Sequence, residues 1–187
     1  QRIKVDLFAA YLQDYISSFI DPGLTPRMPN SPGVRRFENI DQAFKTGIEL
    51  SYRQALGLGL QQQLAMAYTY AQDLERDQPL PEIAPLDIRY TLHGQYLNEK
   101  LRPQATLRYV ATQNRISLEF GETATPDFIL LNLAVGYAIS PNLQFNLSVE
   151  NLLDQAYYEH LNRSVRGSNQ PILAPGRNIS LALSFQF

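Results

Sequence analysis

Asn178–Phe187 reads NISLALSFQF, and in it every odd position is apolar: Ile179, Leu181, Leu183, Phe185 and Phe187. The even positions, Asn178, Ser180, Ala182, Ser184 and Gln186, are small or polar. A period of two means a β-strand with one apolar and one polar face. Working towards the N-terminus, the pattern recurs. Leu143, Phe145, Leu147 and Val149 alternate with Gln144, Asn146, Ser148 and Glu150. Ile129, Leu131, Leu133, Val135, Tyr137 and Ile139 form a further row, and Ile88, Tyr90, Leu92 and Tyr96 another. Leu60–Tyr70, Phe44–Arg53 and Ile3–Tyr15 behave alike, and Thr106–Asn114 less regularly, with Leu107 and Tyr109 on the apolar side. The sequence therefore predicts an all-β antiparallel up-and-down meander of about eight strands, with no helix.

Two features separate this pattern from a soluble sandwich. Most of the strands run to about 10–15 residues, where a soluble strand is usually about 5 or 6 and a bilayer crossing takes about 9–11. The connections also alternate in length. Short ones fall at Ala55–Leu58, Asn98–Arg102 and Ser140–Asn142, and long ones at Ser17–Arg36, Asp73–Pro85, Ser117–Pro126 and Gln155–Pro175. Short turns at one end and long loops at the other are the layout of an outer-membrane barrel. The long connections hold most of the prolines, where no ladder hydrogen bond is lost. Tyr11, Tyr15, Phe44, Tyr68, Tyr70 and Phe128 near strand ends suit interfacial girdles.

Bulk composition narrows the alternatives. A net charge of -2 with no basic run beyond Arg35–Arg36 gives no reason to expect a nucleic-acid partner. Without cysteine there is no disulfide framework and no thiolate metal site. No apolar run approaches the roughly 18 residues of a membrane helix. The sequence opens at Gln1 without a signal peptide, as expected of a processed chain or a piece of a longer one. No nucleophile motif, phosphate-binding glycine loop or HExxH is present, so no enzyme is expected. No cofactor is expected either.

Three segments resemble the last third of TonB-dependent outer-membrane receptors. NLLDQAYYEHLNR (Asn151–Arg163) is similar to the family's Asn-Leu-(Phe/Leu)-Asp-x-x-Tyr run, and PGRNISLALSFQF (Pro175–Phe187) to its closing strand. QPLPEIAPLDIRYTLHGQY (Gln78–Tyr96) is similar to a proline-rich strand entry. The resemblance implies a barrel of about 22 strands with a plugged lumen. It also implies uptake of a scarce metal complex, such as a ferric siderophore, vitamin B12 or copper, driven through TonB. Nothing resembles the plug domain or the TonB box, so residues 1–187 are expected to be one segment of the barrel, its C-terminal part. The small inward residues of the last strands also fit a wide ring better than a filled eight-stranded one. The expected setting is the Gram-negative outer membrane, in contact with its lipid, with long loops extracellular and the C-terminus periplasmic. Phe185 and Phe187 would be the signal to the barrel assembly machinery. The rival readings are a self-contained eight-stranded barrel with an adhesive or structural role, and a soluble ligand-binding barrel.

Within that frame, Tyr157, His160, Arg163 and Arg166 share the last long loop and are candidates for gripping an anionic metal chelate. The plainer alternative is a loop packed at the rim. Lys45, Glu49 and Arg53 fall on one inward face, to meet a plug or water, and His93 lies on the inward side of its strand near Asp87 and Arg89. Met28, Met66, His93 and His160 are scattered, with no ligand pair for a metal.

Overall fold

The computed structural model describes residues 1–27, 31, 33–162 and 170–186. Among them there is no helix, and so none long and apolar enough to cross a membrane. The strands are β1 (Arg2–Asp21), β2 (Val34–Gly57), β3 (Leu60–Asp73), the two-residue β4 (Gln78–Pro79), β5 (Asp87–Gly94), β6 (Leu101–Val110), β7 (Phe128–Ser140), β8 (Leu143–Glu150) and β9 (Asn178–Phe185). They form one antiparallel sheet in the order β1-β2-β3-β5-β6-β7-β8-β9, with β4 paired to the far end of β3.

Strand pairing places every apolar row on the same side. Val5 lies opposite Leu50, then Met66, Ile88, Tyr109 and Ile129 in succession across the sheet. Further towards the C-terminal strands, Leu92, Ala105, Leu133, Val149 and Ile179 form a parallel row. On strands inside the sheet these side chains remain open to the surroundings: Leu107 and Ile129 are each 45% exposed. A soluble barrel must turn such rows inward, so the soluble reading fails on this face. The opposite side carries Lys4, Glu49, Arg53, Arg89, His93 and Arg108, with small residues on β7–β9. An apolar outside and a polar inside are what a bilayer-spanning sheet requires.

The register also fixes the slope of the strands. The β2–β3 hairpin ends on the pair Gly57–Leu60, and Leu60 lies opposite Gly94. The β5–β6 hairpin continues one apolar-face pair further, to Tyr96–Leu101, and the β7–β8 hairpin one pair beyond that, to Ser140–Leu143. Each hairpin thus slips by two residues, or one per strand. At a rise of about 3.3 Å and a strand spacing of about 4.8 Å, that slip tilts the strands by about 35°, the slope of membrane barrels. The tight β2–β3 turn rests on glycine: Leu58 and Gly59 both have positive φ, at 51° and 76°, and a side chain on Gly59 would meet the Gln95 carbonyl.

Short turns gather at one end and long connections at the other, as the sequence predicts, with shifted boundaries. Ser17–Arg36 reads as loop because it holds four prolines and no alternation, yet β1 and β2 stay paired out to Asp21 and Val34. There Arg35 donates to Ser18 Oγ at 2.7 Å and Arg36 pairs with Asp21 at 3.2 Å. Past the apolar rows a strand can carry polar residues on both faces. Similarly, β6 begins at Leu101, inside the connection expected at Asn98–Arg102. In Thr106–Asn114 the continuous ladder ends at Val110, with an isolated bridge from Gln113 to Thr125 beyond it, and β5, β8 and β9 have eight residues each. Buried clusters form towards the long-connection end. Ile40, Ala43, Ala71 and Leu80 make one, and Val110, Phe128 and Leu130 the other. Among the described residues β1 and β9 do not pair and form the two edges of the sheet.

Candidate functional site

The chain that follows β8 does not splay outward; it folds back across the polar side of the sheet. Asn151, 3% exposed, starts the turn with φ of 50°. Its backbone N–H donates to Asn132 Oδ1 at 2.8 Å, and its side chain exchanges hydrogen bonds with the Gln155 backbone at 2.9 Å each way. Its amide also reaches the Pro175 carbonyl at 3.5 Å. Asp154 Oδ1 accepts from the Arg177 N–H at 2.9 Å, and Arg177 Nε donates to the Leu152 carbonyl at 2.9 Å. Asn151–Asp154 and Pro175–Arg177 are thus two halves of one knot, which closes the loop and launches β9.

Beyond the knot, Tyr157 packs on Phe128 in a tilted contact with ring centroids 4.6 Å apart, over Val110 and Leu130. Glu159 then meets Arg108. Arg108 donates to Glu159 at 2.6 and 3.2 Å, and to Asp87 Oδ2 at 2.8 and 3.0 Å. His160 follows, its side chain 3% exposed, with Nε2 3.5 Å from Glu122 Oε1 and Nδ1 3.4 Å from Thr125 Oγ1.

Glu122 gathers three connections. Its carboxylate accepts from the Glu82 N–H at 2.6 Å and the Ser117 N–H at 2.8 Å, besides facing His160. Burial alone would push its pKa up, but His160 and the two N–H groups hold it below the ordinary glutamate value. Gln113 adds a tie, donating to the Ile83 carbonyl at 2.7 Å. Next to this junction is a cavity of about 310 Å³ lined by Arg35, Glu82, Glu122, Tyr158, His160 and Asn162, among others. Arg35 is held there by Ser18 and by the Phe120 carbonyl at 3.1 Å, with its guanidinium 4.3 Å from the Phe120 ring centre.

The other residues singled out from the sequence are dispersed. Lys45, Glu49 and Arg53 share the polar side of β2, four residues apart, opposite Ala10, Asp6 and Arg2. His93 lies on that side too, but its cross-strand neighbours are Gln61 and Gln104, while Asp87 pairs with both Arg89 and Arg108. Arg53 and His93 line a second, polar cavity of about 420 Å³ near the short turns, with Gln61, Gln63, Arg102 and Gln104. Phe185 is on the apolar side opposite Leu143. Arg163, Arg166 and Phe187 lie outside the described residues. Sequence reading missed Arg108, Glu122 and Arg35. Alternation around Leu107 and Tyr109 already turns Arg108 inward, but Glu122 has no signal in a loop of mixed composition. Among the described residues no three His, Cys, Asp or Glu side chains are grouped to hold a metal ion.

In comparisons with known proteins, no curated protein matches the chain in sequence. Among solved structures, the copper transporter OprC superposes with a TM-score of 0.88 at 24% identity, covering 99% of this chain and 29% of that one. The ferric enterobactin receptor PfeA of Pseudomonas aeruginosa gives 0.70 at 19% identity, covering 99% and 29%. The FrpB iron transporter of Neisseria meningitidis gives 0.71 at 20% identity, covering 99% and 28%. The chain therefore spans under a third of the length of these structures, and at such identities the likeness shows the fold. Residues 2–152 match the family model described as TonB dependent receptor-like, beta-barrel. That is a family of Gram-negative outer-membrane transport receptors and not of enzymes, and this chain belongs to it.

Proposed function

We propose that the chain is the C-terminal part of the barrel of a receptor that takes up a scarce metal complex into the periplasm, a ferric siderophore in the first instance. The long connections face the cell exterior, and the short turns and the C-terminus face the periplasm. A plug domain and the segment that contacts TonB come from sequence outside this chain, and Phe185 with Phe187 addresses the barrel assembly machinery.

The observation that carries the reading is the cavity at the long-connection end. Arg35, Tyr158 and His160 border it, and Arg163 and Arg166 follow in the same loop. Guanidinium, phenol and imidazole groups suit the anionic oxygens on the periphery of a chelate. Recognition of the chelate rather than the bare ion accords with the dispersed histidines and methionines. OprC is a copper transporter by its name, and copper is the competing cargo.

The test is uptake by cells with and without the gene for the intact receptor, using a ferric catecholate siderophore carrying radioactive iron, and copper in parallel. Loss of ferric uptake with copper unchanged is the expected result. Unchanged ferric uptake in the deletion strain contradicts the reading, and a selective loss of copper uptake transfers it to copper.

A further inference from the structure

Near the short turns the apolar side of the sheet carries a polar cluster. Tyr52 on β2 donates to Gln54 Oε1 at 2.5 Å, and Gln62 on β3 donates through Nε2 to the same oxygen at 2.8 Å. Tyr90 on β5 donates to Gln62 Oε1 at 2.8 Å. All four positions belong to the apolar side, because Gln54 pairs with Gln62, and Tyr52 with Leu64, which in turn pairs with Tyr90. Both amide oxygens are occupied within this chain of bonds. What it presents outward is N–H: two hydrogens on Gln54 and one on Gln62. Donors left unmet against hydrocarbon are costly, so their natural partner is an acceptor such as a phosphate or ester oxygen.

Beside these donors is an apolar hollow of about 460 Å³. It exists because Gly94, Pro103 and Ala105 are short where the neighbouring rows are leucine and valine, and Leu92, Leu133 and Val149 border it. Gln62 lies directly opposite Leu92, and the same row continues through Ala105, Leu133 and Val149. The strand slip makes that row oblique to the membrane. It begins one apolar-face pair from the end of the β2–β3 hairpin and reaches Val149 three pairs from the end of the β7–β8 hairpin. The row therefore descends from the membrane surface at Gln62 into the hydrocarbon at Val149, the direction in which an acyl chain leaves its glycerol.

We propose that this is a site for one glycerophospholipid of the leaflet on the short-turn side. The Gln54 and Gln62 amides hold its phosphate oxygens, and one acyl chain fills the hollow over Gly94, Pro103 and Ala105. The site is independent of what the receptor takes up.

The test uses the intact receptor, purified in mild detergent, stripped of lipid and titrated with dioleoyl phosphatidylethanolamine under native mass spectrometry. One lipid binds saturably, and dioleoylglycerol, which lacks the phosphate, binds about tenfold more weakly, as expected for loss of hydrogen bonds to a charged group. Gln62→Leu, which removes donors, and Ala105→Phe, which fills the hollow, each weaken binding by about tenfold. Leu7→Phe, on the apolar side of β1 opposite Ile48, leaves it unchanged. Non-saturating uptake, equal retention of dioleoylglycerol, or unaltered binding in folded Gln62→Leu and Ala105→Phe proteins overturns the proposal. The dioleoylglycerol comparison needs no substitution, so it decides the matter even where a variant does not fold.

Discussion

Arg108 stands between two carboxylates, Asp87 on the neighbouring strand and Glu159 on the folded-back segment, and its side chain is 17% exposed. Truncating it leaves two half-buried acids facing each other, the costly outcome for an ion network. Arg108→Ala is expected to destabilise the intact receptor by about 2–3 kcal/mol. Adding Asp87→Ala and Glu159→Ala should recover most of that loss, which urea titration of the folded barrel reads directly. Glu122 acts at the same scale but as an anion that must stay charged. Its folded pKa is depressed, so its contribution is present above the ordinary value of 4.5 and is lost as the pH falls through the lowered one. Glu122→Gln should therefore loosen residues 111–127 at pH 7, at a cost of about 1–3 kcal/mol. The same variant should flatten the acid-induced loss of protection that limited proteolysis detects in the parent below that range.

At the scale of elements, β7 shows how much one residue of register decides. Leu133 faces the apolar side, while Ala134 faces the polar side between Gln104 and Ser148. Leu133→Arg is expected to cost about 2–4 kcal/mol or to abolish membrane assembly. Ala134→Arg should cost less than about 1 kcal/mol. Equal folded yields from the two variants would contradict the assignment of faces. This part of the fold was legible because alternation reports which way each side chain points, and the Ile129–Ile139 row comes straight from it. The hairpin tips at Ser17–Asp21 and Val34–Arg36 were not legible, since no apolar alternation marks a strand once it rises above the belt. The site divides the same way. Asn151, Asp154 and Arg177 lie within segments that carry the resemblance, yet only their hydrogen bonds reveal a loop-closing knot. Glu122 gets its meaning from Glu82, Ser117 and His160, partners 40, 5 and 38 residues away in sequence, a coincidence visible only in three dimensions.

For the whole molecule, the slip of one residue per strand and the open edges at β1 and β9 fit an arc of a wide, tilted ring better than a closed eight-stranded one. We infer that this arc crosses a membrane with its long connections on one side and its short turns on the other. Because the chain has no cysteine, single cysteines can be placed at will in a cysteine-free form of the intact receptor. The most direct measurement is labelling of whole cells with a membrane-impermeant maleimide at Leu118→Cys, in a long connection, and at Leu58→Cys, in the β2–β3 turn. Labelling is expected at position 118 in intact cells and at position 58 only after the outer membrane is opened. Equal labelling of both in intact cells, or the reverse order, would contradict that arrangement.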